Sequence, residues 1–354
     1  MITRRQLLKL GLGLLSAQLI PLGIDASQRG DVVSAAPLDP PMLPLTPTPP
    51  RVVSKVGVHV TSGSRTGFGT FVQNCAAAGR PVAVVKCVGD FGAAYDAKNA
   101  SPKNVSALTL TVGRINTINA TDMGAWDPAN YSSAAAAAQT YYNMVKGTWS
   151  LNPWIDVWET FNEMSSDWGW QADFYIKMMD LAEADGYRLG LWSASVGNPP
   201  EDAYPDIARA CQRAAQHGNH ILCLHEYGGI WNLTSGLLKD ESPYLITRYR
   251  QLYAYLRQQS AVIPLVISEC GQNGGGGLVS RTDFFDDYTW YDDQLMRDNY
   301  VLGCAAWTLG NWSGANFQAY LLPLPPPQNY LPNLTDYVIN KFYRSYLPLT
   351  TNSF

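Results

Sequence analysis

The chain has 354 residues and a formal net charge of −4, with 46% hydrophobic and 15% charged residues. This length is enough for one large domain with a sizeable core, or for two small ones. The lack of a basic excess argues against a nucleic-acid-binding protein. The 11 Trp and 20 Tyr residues either pack the core or supply flat surfaces for sugar rings.

The N-terminal segment has the pattern of an export signal. Arg4 and Arg5 precede Lys9 and an apolar run over residues 10–20, which is typical of twin-arginine export. The run is shorter than the roughly 20 residues that cross a membrane; an ordinary secretory signal or an uncleaved anchor is the alternative. We expect residues 1–36 to be the signal and the export machinery to deliver the protein to the periplasm, the cell surface or the medium.

A proline-rich segment over residues 37–50 follows the signal. Proline removes backbone donors and favours an extended chain, so the segment predicts a linker rather than a domain. We therefore expect residues 51–354 to form the folded domain.

Beyond the linker, strand-like apolar runs alternate with helix-like segments. The predicted strands cover residues 52–60, 82–88, 107–115, 154–159, 188–192, 220–225, 262–268 and 300–306. The predicted helices cover residues 68–78, 93–98, 133–146, 170–184, 202–217, 243–259, 283–298 and 334–346. This alternation over about 300 residues indicates an α/β protein with a single (β/α)8 TIM barrel. A doubly wound sheet is the alternative, but no Gly-x-Gly-x-x-Gly follows the first strand.

Carboxylates stand at the ends of two predicted strands. Glu163 follows the fourth strand and Glu269 ends the seventh, and strand alternation would put Glu159, Phe161 and Glu163 on one face. In a barrel, the carboxyl ends of all strands meet at the catalytic face. Two carboxyl groups at that face, with aromatic residues nearby, suggest cleavage of a glycosidic bond.

These strand ends resemble the motifs of glycoside hydrolase clan A, whose members are retaining (β/α)8-barrel glycosidases. The sequence Trp-Glu-Thr-Phe-Asn-Glu over residues 158–163 is similar to the strand-four acid/base motif of family 39 and of some family 5 members. Ser268-Glu269 resembles the strand-seven nucleophile, His225-x-Tyr227 the strand-six motif, and Trp307 the strand-eight tryptophan.

The resemblance implies a retaining hydrolase of β-linked glycans, and the export signal would make it a secreted one. Glu163 would be the acid/base and Glu269 the nucleophile. Asn162 would bond the sugar 2-hydroxyl, Tyr227 would donate a hydrogen bond to Glu269, and Trp307 would form the floor of the subsite for the cleaved sugar. Several tryptophans in the predicted loops favour a cleft for several sugars, and hence endo action.

Most other residues near the predicted mouth have two interpretations. His225 contacts the substrate or the acid/base, or it is a core histidine. Arg114 on the third strand would steady Glu269. His59 ends the first strand and either reaches the first subsite or packs in the core. The loop tryptophans either border the mouth or serve ordinary packing: Trp126, Trp168, Trp170, Trp231 and Trp312.

Three further charged residues are expected to be structural. Lys86 and Glu159 lie on strands that can face the barrel interior, where a buried pair would be a structural charge cluster. Glu226 lies between His225 and Tyr227, so alternation turns it away from the site.

The six cysteines leave two possibilities open. An exported protein can keep disulfides, and the possible pairs are Cys75/Cys87, Cys211/Cys223 and Cys270/Cys304. Alternatively, all of them are buried free thiols. No Cys-x-x-Cys occurs, so a zinc or redox motif is unsupported, and we expect neither a metal nor a cofactor.

Two other functions compete with hydrolysis by paired carboxylates. A non-catalytic carbohydrate-binding barrel protein at the cell surface would need neither glutamate. A metal-dependent hydrolase is disfavoured, because the chain has only four histidines and no His-x-His on the first strand. We expect a monomer whose partner is a poly- or oligosaccharide.

Overall fold

The fold is a closed parallel barrel whose strands follow one another in chain order. A computed structural model describes residues 54–61, 65–116, 126–217, 219–229, 235–275, 279–309 and 330–341. The predicted export signal and linker lie outside these residues, as do Trp231 and Trp312. The barrel confirms the predicted (β/α)8 fold.

The strands are β1 Val56–Thr61, β2 Val84–Val88, β3 Leu110–Arg114, β4 Val157–Glu159, β5 Leu189–Ala194, β6 Ile221–Tyr227, β7 Leu265–Gly271 and β8 Val301–Leu309. The helices in the described ranges are α1 Phe68–Ala77, α2 Gly92–Asn99, α3 Lys103–Ser106, α4 Ala134–Ser150, α5 Trp168–Ala184, α6 Tyr204–His217, α7 Tyr249–Gln258, α8 Arg281–Met296 and α9 Leu331–Asn340. The link from β2 to β3 holds two short helices where one was predicted.

Several boundaries differ from the prediction because turns replace element ends. β3 begins at Leu110, since the residues before it close the last turn of α3. β4 is short and begins at Val157, and the Asp156 carboxylate just before it accepts a hydrogen bond from the Thr111 amide at 2.9 Å. The helix predicted over residues 243–259 begins at Tyr249, after a series of turns.

The apolar core has an inner and an outer layer. The inner layer plugs the lower part of the barrel with residues from six strands: Val84, Leu110, Val112, Val157, Ile221, Cys223, Val266 and Ala305. The outer layer lies between the strands and the surrounding helices. Such side-chain layers make a barrel interior a packed core rather than a pore. The plug therefore closes the bottom and leaves the carboxyl ends of the strands for chemistry.

Large aromatic residues fix β4 against its neighbours. Trp158 is fully buried and stacks on Trp149 of α4, with ring centroids 5.4 Å apart. Gly113 of β3 makes room for it, because a Cβ there would lie 2.7 Å from the Trp158 ring. This packing sets the position from which the chain leaves β4.

All six cysteines are buried free thiols, so the disulfide alternative is wrong for this structure. Within the described ranges, no helix combines the length and apolar character needed to cross a membrane.

Candidate active site

Glu163 lies in the loop between β4 and α5. β4 ends at Glu159, and Glu163 has a left-handed backbone with a φ of 58° and donates its amide to the Ser193 carbonyl at 3.0 Å. Phe161 points outward instead, fully buried among aromatic residues of α4 and α5. The prediction that alternation aligns all three residues is wrong for Phe161, because the strand has already ended. Glu163 is not a helix-opening residue either, since α5 begins only at Trp168.

Glu269 reaches the same site through an irregularity in β7. Val266 belongs to the inner apolar layer, so simple alternation would turn Ser268 inward and Glu269 outward. The register between β6 and β7 shifts here, and His225 pairs with Glu269. One extra residue in the strand, as in a β-bulge, turns Glu269 to the inner face.

The imidazole of His225 lies between the two glutamates. Its Nδ1 is 2.8 Å from Glu163 Oε1 and 3.6 Å from Glu269 Oε2. One atom from each of the three side chains lies within 4.8 Å of the others. Carboxyl groups of retaining glycosidases are about 5–5.5 Å apart, and those of inverting enzymes about 6.5–9.5 Å. The closest carboxylate oxygens of Glu163 and Glu269 are thus no farther apart than the carboxyl groups of the shorter class.

Glu269 is surrounded by groups that stabilise its charge. Tyr227 donates its hydroxyl to Oε2 at 3.0 Å, which is the predicted hydrogen bond. Arg114 lies 3.0 Å from Oε1, and His59 Nε2 lies 3.6 Å from the same oxygen. Burial would raise the pKa of Glu269, but His225, Arg114 and His59 outweigh burial and hold that pKa well below its usual range. Glu269 is therefore ionised.

His59 is a packed residue behind the site. It is fully buried, its Nδ1 lies 3.0 Å from Thr308 Oγ1, and its ring centroid is 4.4 Å from that of Trp307. Burial lowers the pKa of His59 to about 4, so its ring is neutral at neutral pH. Its contacts support Glu269 and Trp307 from below, the position expected of the core alternative.

Asn162 and Trp307 flank the glutamates. Asn162 is half-buried, and its Oδ1 is shielded from solvent without a hydrogen-bond partner among the described residues. The Trp307 ring meets that of Tyr227 edge-on, with centroids 6.3 Å apart. A Cβ on Gly275 would lie 3.0 Å from the Tyr227 ring and 3.3 Å from the Trp307 ring, so the loop after β7 approaches only as glycine. The predicted sugar contacts of Asn162 and Trp307 stay predictions.

The described loop tryptophans have packing contacts. Trp126 is buried and stacks on Tyr131 at 5.6 Å between ring centroids, and Trp170 stacks on Phe174 at 5.7 Å. Trp168, the first residue of α5, is half-buried against the outer core layer. Trp126 and Trp170 therefore fit the packing alternative.

A second charged layer lies beneath the glutamates. The Lys86 ammonium contacts Glu159 Oε2, and both side chains are fully inaccessible, which confirms the predicted charge cluster. Arg114 Nη1 lies 3.6 Å from Glu159 Oε2 and 3.0 Å from Glu269 Oε1. Burial would raise the pKa of Glu159, but Lys86 and Arg114 outweigh it and lower the pKa to about 2. Arg114 thus joins the two layers, a link that strand alternation does not reveal.

Glu226 faces out of the barrel, away from the site, as expected. It is buried and accepts a hydrogen bond from the Tyr291 hydroxyl. Burial raises the pKa of Glu226 to about 7.

Among the described residues, Glu163, His225 and Glu269 also have the spacing of a cation site. The Arg114 guanidinium already places a positive charge against one of these carboxylates, because it lies 3.0 Å from Glu269 Oε1. His225 Nδ1 is engaged with Glu163. We assign no metal ligand to this site.

No protein-family model matches the chain, and no curated protein matches its sequence. Among solved structures, it is similar to the endo-β-1,4-mannanase from Thermotoga petrophila, at 11% identity and a TM-score of 0.50 over 82% of this chain and 77% of the mannanase. It is also similar to PbGH5A, a family 5 glycoside hydrolase from Prevotella bryantii B14, at 13% identity and a TM-score of 0.46 over 80% of this chain and 94% of that one. The likeness to the Thermotoga structure agrees with the barrel fold.

Proposed function

We propose that this protein is a retaining glycoside hydrolase of the clan A type that cleaves β-linked glycans. The observation that carries the proposal is a pair of glutamates, Glu163 and Glu269. A carboxylate oxygen of one lies within 4.8 Å of a carboxylate oxygen of the other, but their surroundings differ. Glu269 is buried and held ionised, whereas the Glu163 side chain is 32% exposed. A nucleophile and a proton donor need these two environments.

The proposed reaction has two displacements. Glu269 attacks the anomeric carbon while Glu163 gives its proton to the leaving glycosidic oxygen, which produces a covalent glycosyl-enzyme. Glu163, now ionised, takes a proton from water as that water attacks the same carbon and releases Glu269. His225 orients Glu163 through its 2.8 Å hydrogen bond, and Tyr227 and Arg114 orient Glu269.

The unpartnered Asn162 Oδ1 supports a hydrogen bond to a sugar hydroxyl next to the reacting carbon. Endo action is part of the proposal, and the substrate panel includes β-1,4-mannan because the Thermotoga petrophila neighbour is an endo-β-1,4-mannanase. Membership of a particular family, 5 or 39, stays a prediction from the motifs.

The test is the release of reducing sugar from mannan, β-glucan, xylan and galactan. Wild type and Glu269→Gln run side by side in excess chelator, with Glu226→Gln as the matched control, because Glu226 is a buried carboxyl of β6 that faces away from the site. We expect wild type and the control to cut one of these glycans and Glu269→Gln to be inactive.

Each other outcome overturns a defined part of the proposal. Equal cutting by wild type and Glu269→Gln would remove Glu269 from the nucleophile role. Binding of one glycan without cleavage by any variant would favour a non-catalytic carbohydrate-binding protein. A parallel assay of wild type without chelator completes the design: activity that is present there and absent in excess chelator would favour a metal-dependent hydrolase.

We also propose that the protein is exported through the twin-arginine route, on the basis of Arg4, Arg5 and the apolar run that follows. Replacing both arginines by lysine should leave the precursor in the cytoplasm. Equal export of the Lys-Lys variant would contradict this route.

A further inference from the structure

The buried pair Lys86–Glu159 lies one layer below the proposed catalytic glutamates. Both side chains are fully inaccessible inside the barrel. Lys86 comes from β2, two residues beyond Val84 of the apolar plug, and Glu159 comes from β4, two residues beyond Val157. The pair is therefore the first polar layer above the plug.

A buried ion pair is a weak source of stability. The loss of hydration of two charges often exceeds their attraction, and apolar residues of similar volume are frequently as stable. The barrel nevertheless makes room for this pair: a Cβ on Gly190 of β5 would lie 3.0 Å from Glu159 Cγ and 2.7 Å from Cys223 Sγ. The position of the pair, rather than its own energy, points to its role.

Arg114 connects the pair to the site. Its Nη1 lies 3.0 Å from Glu269 and 3.6 Å from Glu159, so one guanidinium faces two carboxylates. Without Lys86, Glu159 would be a buried charge whose nearest cation is Arg114, and the two carboxylates would compete for it. With Lys86 in contact with Glu159, the charges of the two layers balance.

We propose that Lys86 and Glu159 are a positioning pair that reserves Arg114 for Glu269. Lys86 neutralises Glu159, and Glu159 in turn holds Arg114 from below, so that the guanidinium stays against the nucleophile. Neither residue touches the substrate. The catalytic consequence rests on the hydrolase function proposed above; the electrostatic arrangement does not.

Other charged and titratable groups contribute a fixed background around the two carboxylates. Glu269 is faced by His59 from β1, Arg114 from β3, Glu163 from the β4–α5 loop, and His225 and Tyr227 from β6. Glu159 is faced by Lys86 from β2, Arg114 from β3, and His225 and Cys223 from β6, and it also interacts with Tyr141 of α4 and Tyr175 of α5. The proposed variants leave all of these except the pair unchanged.

The experiment is a double-mutant cycle read from the acidic limb of the pH profile of kcat/KM. This limb reports protonation of the nucleophile in the free enzyme. In Lys86→Met, Glu159 shares Arg114 with Glu269. We therefore expect the midpoint of the acidic limb to move to higher pH by about 1 unit, the lower end of the effect of a charge at 4–6 Å. Glu159→Gln removes the competing charge, so the midpoint should not move to higher pH. In Lys86→Met/Glu159→Gln the midpoint should return to its wild-type pH.

A purely structural pair predicts a different pattern. Its variants would lower the melting temperature without moving the limb, as we expect for Arg250→Met, which breaks the 2.8 Å Arg250–Asp298 pair outside the barrel. No shift in Lys86→Met, or the same shift in Lys86→Met and the double variant, would overturn the proposal. If Lys86→Met does not fold, Lys86→Gln makes the same test, because glutamine can donate one hydrogen bond to Glu159 but carries no charge.

A second readout separates this inference from the proposed function. The carboxyl carbon of Glu269 can be followed by NMR in protein labelled with ¹³C-glutamate, and its signal is assigned by its absence in Glu269→Gln. If wild type cuts no glycan, the hydrolase proposal fails, yet the signal should still titrate at higher pH in Lys86→Met than in wild type. If Glu269 titrates at the same pH in Lys86→Met as in wild type, that result alone overturns the positioning role.

Discussion

The two glutamates of the site share a residue type but little of their surroundings. The Glu163 side chain is 32% exposed, stands on a loop and bonds to His225. The Glu269 side chain is 6% exposed, stands on β7 and meets Tyr227, Arg114 and His59. The first environment allows exchange of a proton with substrate and water, and the second holds a negative charge. Backbone geometry around each residue, rather than residue type, divides the two proposed roles.

The largest expected effect comes from removing the proposed nucleophile. Glu269→Gln keeps the shape of the side chain but cannot attack carbon, so we expect kcat on the cleaved glycan to fall by about 10⁵-fold, as for other covalent nucleophiles. The assay is reducing-sugar release at saturating substrate. A variant within tenfold of wild type would contradict the division of roles.

Glu163→Ala should separate proton donation from nucleophilic attack. On a polysaccharide we expect about a 10³-fold loss of kcat/KM, because general acid catalysis is absent. A dinitrophenyl glycoside needs no protonation of its leaving group, so formation of the glycosyl-enzyme should be nearly normal. Azide should then accelerate turnover and give the β-glycosyl azide, since two displacements preserve configuration. Equal losses on both substrates, or an α-azide, would contradict the assignment.

A smaller effect is expected from one of the groups that stabilise Glu269. Tyr227→Phe removes the 3.0 Å hydrogen bond to Oε2. Hydrogen bonds to charged groups contribute about 1.5–3 kcal/mol, so we expect at least about a tenfold loss of kcat/KM. Loss of this donor favours the protonated form of Glu269. The acidic limb of the pH profile should therefore lie at higher pH than in wild type. A profile with an unchanged acidic limb would show that Tyr227 does not hold the charge.

Glu226→Gln should change stability with pH but leave activity as in wild type. The pKa of Glu226 is raised to about 7 in the folded protein, above the roughly 4.3 of an unfolded glutamate. The native state therefore binds the extra proton between these values, and wild type loses stability as the pH rises through 7. Glutamine does not titrate, so the variant should gain roughly 3 kcal/mol relative to wild type between pH 4.5 and pH 8. Denaturant unfolding at both pH values measures this difference, and a constant difference would contradict it.

The sequence predicts the order of the barrel elements well because its signals are local. Apolar runs bounded by turns mark the strands, and Glu163 and Glu269 stand just where those runs end. The hydrogen bond from Tyr227 to Glu269 is expected from the resemblance of His225-x-Tyr227 to the clan A strand-six motif. The order of the elements and the position of the two glutamates need only the apolar period and the strand order.

The remaining features depend on departures from regular geometry. Alternation alone puts Phe161 in line with Glu163, whereas the left-handed turn at Glu163 separates them. Alternation from Val266 would also turn Glu269 outward, and the register shift that corrects it has no clear signal in the residues. The reach of Arg114 between two layers depends on distances across the barrel, which a linear pattern does not contain.

The most direct test of the paired glutamates is the anomeric configuration of the first sugar released by wild type. Proton NMR, recorded within minutes of adding enzyme to a cleavable β-glycan or aryl β-glycoside, distinguishes the two anomers before mutarotation mixes them. Two displacements through Glu269 predict that the β-anomer appears first. Initial release of the α-anomer would mean a single displacement by water and would contradict the role of Glu269 as nucleophile.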